Sequence, residues 1–245
     1  MRKRLDVSLV ERGLVPTRSR ARDLIKYGKV LVDQQVCTKA GAEVGLEQAL
    51  ALEPGSGGGV SRAAAKLVAA LQSFGFDAEG RIALDVGAST GGFTEVLLEH
   101  GAAKVYAVDV GHDQLHACLK ADPRVISLEG CDARTLTSAL IAEPVTAVVA
   151  DVSFISLAKA LPVPLTFAAK CAWLVALIKP QFEVGPAAVG KGGIVRDEKA
   201  RQGAVDGVRS WLAGRNGWRI VDVIPSPIRG GSGNEEFLVG AYKDG

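Results

Sequence analysis

The chain has 245 residues, of which 48% are hydrophobic and 23% are charged. This composition excludes intrinsic disorder and leaves room for one large domain or for a large and a small one. The four cysteines are scattered without a Cys-x-x-Cys pair, which fits a reducing, cytoplasmic location. The net charge is +2, but residues 1–40 carry ten Lys or Arg against four acids, a local charge of +6, and the remainder carries −4. A basic head on an acidic body predicts a polyanion-binding module joined to another domain.

The basic head is predicted to form two short helices and a small strand pair. Apolar residues repeat at helical spacing over 5–10 and again over 21–28. Arg22, Lys26 and Lys29 recur on one face of the second helix, which predicts a phosphate-binding surface. An ordinary solvated helix face is the alternative interpretation of these three residues.

A linker separates the head from the body. Residues 54–59 read Pro-Gly-Ser-Gly-Gly-Gly, a composition typical of a flexible connection. We therefore predict domains over 1–54 and 61–245, with 55–60 as the linker. The helix that follows is expected to bury an apolar stripe, with Lys66 pointing well away from it.

Strand and helix patterns alternate through the body, which predicts a parallel sheet with helices on both faces. Two later strands joined by a short Pro/Gly/Ser-rich link must be antiparallel and form a hairpin at the sheet edge. The predicted parallel strands are 81–86, 104–109, 125–128, 145–150 and 172–178, and the predicted hairpin strands are 218–224 and 236–242.

No membrane segment is expected. The first residues carry no apolar run behind their charges, as a signal peptide would. Segment 161–178 holds a single charge, but Lys170 near its centre and the early Pro162 and Pro164 favour a soluble helix followed by a buried strand.

Glycines and acids collect where the predicted parallel strands end. The glycine-rich turn 85–93 would let a ligand approach the backbone and a helix N-terminus. Asp109 ends the second strand, where a ribose diol is bound in doubly wound folds. Asp132 and Asp151 follow the next two strands, and Asp132 is expected to meet an adenine amino group. The turn is neither G-x-G-x-x-G nor a P-loop, which argues against a dinucleotide or a nucleoside triphosphate. The order of the glycine turn and the three acids predicts an S-adenosylmethionine site. Helix capping is the alternative for any single acid.

The sequence resembles the TlyA family, which includes proteins named as hemolysins and as ribosomal RNA 2′-O-methyltransferases, over nearly its whole length. Its head is similar to an S4 RNA-binding domain at Arg4-Leu5-Asp6, Ser19-Arg20 and Gly28-Lys29-Val30. Its body is similar to an FtsJ-type methyltransferase, and the matching segments are Val60–Arg62, Leu84–Phe93, Ala150–Ser156, Ile178–Glu183, Gly192–Val195 and Gly233–Phe237.

The resemblance implies an α/β fold class. A small N-terminal S4-like α+β RNA-binding domain is followed in the sequence by a Rossmann-like S-adenosylmethionine-dependent methyltransferase domain. The implied catalytic tetrad is Lys66, Asp151, Lys179 and Glu236, with Glu236 preferred to Glu235 by its spacing from the Asn of the Gly-Asn step. The implied cofactor-binding residues are Asp85, Gly87, Ala88, Ser89, Thr90, Gly91, Gly92, Phe93, Asp109, Val110, Asp132 and Asp151. The implied RNA-binding residues are Arg4, Arg18, Arg20, Arg22, Lys26, Lys29 and Arg62.

The tetrad suits methyl transfer to a ribose. A 2′-hydroxyl is a poor nucleophile, so it must be held near the methyl group and partly stripped of its proton. Desolvation at the end of a buried strand and the nearby charge of Lys66 favour a neutral Lys179 amine, the expected base. Asp151 would orient Lys179, while Lys66 and Glu236 hold the geometry. The sequence departs from the family at Asp132, where relatives often carry Asn.

The resemblance further implies methylation of a cytidine ribose in ribosomal RNA, with large-subunit RNA favoured and ribosomal RNA or a ribosomal subunit as the partner. It allows a homodimer and implies no membrane partner. Two alternatives stay open: a membrane-lysing hemolysin-like protein, and a catalytically silent RNA-binding protein of methyltransferase fold. No metal site is expected because His112 and His116 lack a third ligand. Cys131 and Cys171 are expected in the core rather than at a catalytic site.

Overall fold

The chain forms two compact units, Met1–Ser61 and Arg62–Gly245. A computed structural model describes residues 2–15, 18–26, 28–52 and 63–245, apart from the side chains of Ser19, Arg20 and Asp23. The predicted linker at 55–60 and the candidate RNA-binding residue Arg62 lie outside the described residues.

The smaller unit packs two helices against short strands. Strand β2 pairs antiparallel with both β3 and β5, and β1 pairs with β4. The apolar faces of the two helices meet in one core that includes Leu5, Leu9, Leu24 and Ile25, as the helical spacing predicts. The elements are β1 Lys3–Arg4, α1 Leu5–Glu11, α2 Arg18–Lys26, β2 Val30–Val32, β3 Gln35–Val36, β4 Glu43–Val44 and β5 Leu50–Leu52.

The larger unit alternates strands and helices up to its last two strands. Three short 3₁₀ helices supplement its regular elements at Ala133–Thr135, Pro164–Phe167 and Pro186–Ala188. The elements are α3 Ala63–Phe74, β6 Ile82–Val86, α4 Gly92–Glu99, β7 Lys104–Asp109, α5 Ala117–Lys120, β8 Val125–Glu129, β9 Val145–Ala150, α6 Leu157–Ala160, β10 Ala168–Ile178, α7 Pro180–Glu183, α8 Glu198–Ala213, β11 Trp218–Pro225 and β12 Phe237–Lys243.

The seven strands of the larger unit form one sheet in the order β11-β12-β10-β9-β6-β7-β8. The pairs among β6, β7, β8, β9 and β10 are parallel, whereas β12 runs antiparallel to both β10 and β11. The predicted α/β fold with an antiparallel hairpin at the sheet edge is therefore confirmed. Because the parallel strands share one direction, their carboxyl ends lie along one edge of the sheet.

Both faces of the sheet are covered. Leu174, Ala176 and Ile178 of β10 belong to a core cluster that also contains Val208 and Leu212 of α8. The intervening residues of β10 face the opposite side, where Phe76 stacks on Trp173 with ring centroids 5.2 Å apart. The body thus has the two-sided core that its near-continuous apolar strands predict.

Strand β10 begins at Ala168, four residues before the predicted start. Its register with β9 shifts between Ala168 and Trp173, and Cys171 takes a φ of 59° within this irregular segment. The expectation that Cys171 is a core residue is wrong, because the bulge turns it to the surface, while Cys131 is only partly buried. Among the described residues, no helix is long and apolar enough to cross a membrane.

Candidate active site

The glycine-rich turn after β6 brings two backbone segments into close contact. Gly87 takes a φ of 85°, and a Cβ at this position would lie 2.7 Å from the carbonyl oxygen of Asp151. A side chain is therefore excluded both by backbone conformation and by space. The turn ends at Gly91, whose φ of 99° leads directly into α4. It lies at the carboxyl edge of the sheet, beside the residue that follows β9.

A cleft of about 750 Å³ opens at this edge. This volume lies within the range of small-molecule sites in proteins. Its lining contains six of the predicted cofactor-binding residues: Gly87, Ser89, Asp109, Val110, Asp132 and Asp151. It does not contain the other six, which are Asp85, Ala88, Thr90, Gly91, Gly92 and Phe93. Asp85 is instead buried behind the turn, where it is 1% exposed.

The two acids that follow β7 and β8 are both engaged with nearby donors. Asp109 accepts hydrogen bonds from the backbone N–H of Ser89 at 2.8 Å and from that of Gly111 at 2.7 Å. Asp132 accepts hydrogen bonds from the Arg134 guanidinium, with Nη2 2.6 Å from Oδ2, and this contact lowers the pKa of Asp132. Asp132 also caps the following 3₁₀ helix, the alternative role that single strand-end acids allow.

Lys179 and Asp151 form an ion pair at the carboxyl edge. They follow the adjacent parallel strands β10 and β9, whose register pairs Ala176 with Ala150. Lys179 Nζ lies 2.6 Å from Asp151 Oδ1, and it donates a hydrogen bond of 2.8 Å to Ser153 Oγ. The side chains of Lys179 and Asp151 are 11% and 17% exposed, so the pair is largely desolvated yet reachable from the cleft.

Lys66 and Glu236 form a second ion pair, in which Lys66 Nζ donates to Glu236 Oε2 at 2.5 Å. Their side chains are 9% and 3% exposed. The expectation that Lys66 points away from the buried stripe of α3 is wrong, because its charge is neutralised by Glu236 inside the protein. Glu235 makes different contacts, with Arg201 and Arg229 at the surface.

Glu236 and Lys179 line one cleft of about 350 Å³, which also includes Ser153, Phe154 and Phe182. Phe154 is 91% exposed and takes a φ of 66°, a strained value for a residue with a side chain. Its ring centroid lies 5.2 Å from that of Phe182. Neither aromatic residue is among the predicted site residues, although both stand in the segments that match the FtsJ-type pattern.

His112 and His116 stand four residues apart between β7 and β8. Among residues 2–15, 18–26, 28–52 and 63–245, no group of three or more His, Cys, Asp or Glu could hold a metal ion. His116 has a local role at the start of α5, where its ring nitrogen accepts from the Cys118 N–H.

Two domain families match the chain. An S4 domain matches residues 3–50, and an FtsJ-like methyltransferase matches residues 59–243. The 16S/23S rRNA (cytidine-2′-O)-methyltransferase TlyA of Mycobacterium tuberculosis is 48% identical over 239 residues, which cover 97% of this chain and 89% of that protein. The chain belongs to the TlyA family. Its larger unit is accordingly an S-adenosylmethionine-dependent methyltransferase domain.

Other TlyA-related proteins match over much of their length. The 23S rRNA (cytidine-2′-O)-methyltransferase TlyA of Campylobacter jejuni is 39% identical over 180 residues, which cover 73% of this chain and 69% of that protein. A solved structure of a Streptococcus thermophilus protein named as a hemolysin is 36% identical, with a TM-score of 0.77. The match covers 99% of this chain and 89% of that one.

The S4 domain of this TlyA-family chain gathers three arginines around one buried acid. Asp6 accepts from Arg4 Nε at 3.0 Å, Arg18 Nη2 at 3.1 Å and Arg22 Nε at 3.0 Å. The hydrogen bond from Arg4 contributes most to holding the pKa of Asp6 well below its usual range. Asp6 has no exposed side-chain surface, whereas the arginines are about half exposed. The three guanidinium groups therefore present a positive surface, which we call the arginine cluster.

The predicted RNA-binding residues also include Arg20, Lys26, Lys29 and Arg62. Lys26 and Lys29 are exposed in the same domain. The side chain of Arg20 and the whole of Arg62 lie outside the described residues. The sequence identified all three arginines of the cluster, but Asp6 entered only as part of the Arg4-Leu5-Asp6 motif.

Proposed function

We propose that this protein transfers the methyl group of S-adenosylmethionine to a ribose 2′-hydroxyl of ribosomal RNA. The observation that carries the proposal is the placement of Lys179, with its partner Asp151, and of Glu236, with its partner Lys66, around one cleft. The names of the Mycobacterium tuberculosis and Campylobacter jejuni relatives specify a cytidine ribose. Large-subunit RNA is the favoured target, because both names include 23S rRNA and only one includes 16S rRNA.

The cleft at the carboxyl edge suits S-adenosylmethionine. Its volume accommodates a nucleoside with an amino-acid tail, and Asp109 has the position of a ribose-binding acid. Asp132 and Asp151 also line this cleft, where their charges are paired with Arg134 and Lys179. When bound, the cofactor supplies a methyl group on positively charged sulfur. We therefore assign Gly87, Ser89, Asp109, Val110, Asp132 and Asp151 to direct cofactor contact, and the other predicted cofactor residues to the turn behind it.

The residues of the tetrad divide into a base and its supports. In the proposed step Lys179 Nζ would first release the proton of its ion pair with Asp151 and would then accept the hydroxyl proton. The 2′-oxygen would take the methyl group that the cofactor supplies, and the cofactor would leave as a neutral thioether. Asp151 then stabilises the ammonium so formed, and Ser153 accepts a hydrogen bond that fixes its direction. Glu236 neutralises Lys66, so the second pair supports the cleft wall without adding net charge.

An RNA substrate is supported at two places. Phe154 offers an exposed aromatic face beside Lys179, and a splayed nucleotide base can stack on such a face. The arginine cluster provides salt-dependent phosphate contacts in the S4 domain.

We keep the domain limits 1–54 and 61–245 as part of this proposal. The homodimer and the cytoplasmic location stay predictions.

The test compares Lys179→Ala with Lys170→Ala, a matched control that removes an exposed lysine from β10, the strand that Lys179 follows. Each protein is given labelled S-adenosylmethionine with 23S RNA, 16S RNA, and assembled large and small subunits. The products are digested and the methylated nucleosides are identified. We expect 2′-O-methylcytidine in large-subunit RNA, at a rate that falls by about 100-fold or more in Lys179→Ala and stays unchanged in the control.

Other outcomes would count against the proposal. Methyl groups on a base would exclude the ribose reaction. Equal rates in the two variants would exclude Lys179 as the base. Cofactor binding without transfer to any of the four substrates would favour the catalytically silent RNA-binding protein.

A further inference from the structure

Asn234 is a buried amide whose side chain joins two segments of the larger unit. It is 2% exposed. Its Oδ1 accepts a hydrogen bond of 2.9 Å from the Val195 N–H, and its Nδ2 donates one of 2.8 Å to the Gly193 carbonyl. One partner is a donor and the other is an acceptor, and the amide satisfies both groups because it has an acceptor oxygen and a donor nitrogen.

The two joined segments flank the cleft that contains Lys179. The first is the glycine-rich segment 185–195, whose Gly192 and Gly193 take left-handed φ values of 79° and 75°. The second is the segment 226–236, in which the Asn234 carbonyl accepts from the Gly230 N–H at 2.9 Å before the chain reaches Glu236. Gly193, Asn234 and Glu236 all line the cleft of about 350 Å³. Asn234 therefore connects one wall of this cleft to the segment that carries an acid of the tetrad.

We infer that Asn234 is a positioning residue that holds the glycine-rich segment as the RNA-side wall of the active site. The inference rests on the proposed function. Segment 185–195 is rich in glycine and has no regular structure of its own beyond one short 3₁₀ helix, so its position depends on contacts such as these. The Asn234 hydrogen bonds fix this segment before RNA binds, so RNA binding does not have to offset the conformational entropy lost when the segment becomes ordered.

The location of Asn234 separates this role from cofactor binding. The larger cleft that we assign to S-adenosylmethionine is not lined by Asn234 or by any residue of 185–195. Losing the Asn234 amide should therefore weaken RNA binding and leave cofactor affinity unchanged. A general structural role would weaken both together.

The experiment uses the full chain with Asn234→Ala and Asn234→Asp, and Asn216→Ala as the control. Asn216 is an exposed asparagine in the turn after α8. KM and kcat for RNA, the Kd for S-adenosylmethionine, and amide hydrogen exchange over 185–195 are measured. We expect Asn234→Ala to raise the KM for RNA by about tenfold, with kcat and the cofactor Kd within about twofold of wild type. Amide exchange in 185–195 should accelerate.

Asn234→Asp keeps the volume and the acceptor for Val195 but places an oxygen against the Gly193 carbonyl, so it should raise KM as well. It also carries the test if Asn234→Ala does not fold. An unchanged KM in either folded variant would overturn the inference, as would a rise in the cofactor Kd parallel to KM. The exchange measurement needs no RNA. An inactive wild type would therefore contradict the proposed function. If wild type is active and amide exchange over 185–195 is unchanged in the Asn234 variants, the role of Asn234 is contradicted instead.

Discussion

Asp85 is a carboxyl group held in an apolar interior. Thr94 Oγ1 donates to its Oδ2 at 2.7 Å, and its Oδ1 has no hydrogen-bond partner among the described residues. Burial, together with the nearby carboxylates of Asp151 and Asp109, raises the pKa of Asp85 to about 7. The protonated carboxyl is therefore the stable form at acidic pH, and folding free energy is lost as the pH rises from about 4 to about 7.

Asp85→Asn should remove the loss of stability that wild type shows between about pH 4 and pH 7. An unfolded Asp ionises near pH 4 and the native one near pH 7, so the free energy of unfolding of wild type falls as pH rises between these values. Asparagine keeps the acceptor for Thr94 and does not ionise. The free energy of unfolding of Asp85→Asn relative to wild type should increase from pH 4.5 to pH 8 by about 3 kcal/mol. Denaturant unfolding without cofactor measures this, and Asp206→Asn, on the exposed face of α8, is the control. A difference that is constant with pH would show that Asp85 ionises normally.

Strand order brings the proposed catalytic residues together. β10 lies between β9 and β12, with Ala176 beside Ala150 and Ile178 beside Phe237. Asp151, Lys179 and Glu236, each just outside one of these strands, consequently meet at one edge. Helix α3 supplies Lys66 to the same edge from the start of the larger unit. The arrangement depends on pairing between elements, because no two of these residues are close in sequence.

Gly87→Ala should disrupt the turn that lines the proposed cofactor cleft. The added Cβ would combine an unfavourable φ of 85° with a 2.7 Å contact to the Asp151 carbonyl. Gly80→Ala is the matched control, since its φ is 66° and a Cβ there meets no atom within 4 Å. We expect Gly80→Ala to lose about 1 kcal/mol of stability with normal cofactor affinity. Gly87→Ala should lose more stability and bind S-adenosylmethionine at least about tenfold more weakly by calorimetry. Equal effects in the two variants would mean that backbone conformation alone matters.

The two units differ in net charge, because residues 1–61 carry +3 and residues 62–245 carry −1. The first 40 residues carry +6 and the remainder carries −4, and the arginine cluster places part of that positive charge at the surface. Lys26 and Lys29 are exposed in the same unit. A methyltransferase domain with a net charge of −1 has little long-range attraction for RNA, so the S4 domain is expected to supply most of it.

Removing residues 1–61 should separate RNA affinity from cofactor affinity. We expect the remaining chain to bind S-adenosylmethionine with a Kd within about twofold of the full protein, because the cofactor cleft lies wholly in the larger unit. Its KM for ribosomal RNA should rise by about tenfold or more and depend less steeply on salt. Full-length protein over the same salt series is the reference. An unchanged salt dependence would assign RNA affinity to the methyltransferase domain instead.

The sequence by itself determined the fold class and the sheet edge at which we propose that the cofactor binds. Alternating strand and helix patterns are local, and parallel strands necessarily end at a common edge, so the glycine turn and Asp109 could be placed without coordinates. The charge of the head is likewise a property of composition. Local pattern was insufficient at β10, where a bulge around Cys171 extends the strand beyond its apolar run.

Only the tertiary structure decided which side chains meet. Its helical pattern predicts that Lys66 is a solvated lysine. In the structure it is buried because it pairs with Glu236, which is 170 residues away in the sequence. Asp85 shares the glycine-rich motif but faces the interior, while Phe154 is apolar yet exposed. Sequence periodicity specifies the face on which a residue lies, whereas its partner depends on how helices and strands distant in the chain pack against one another.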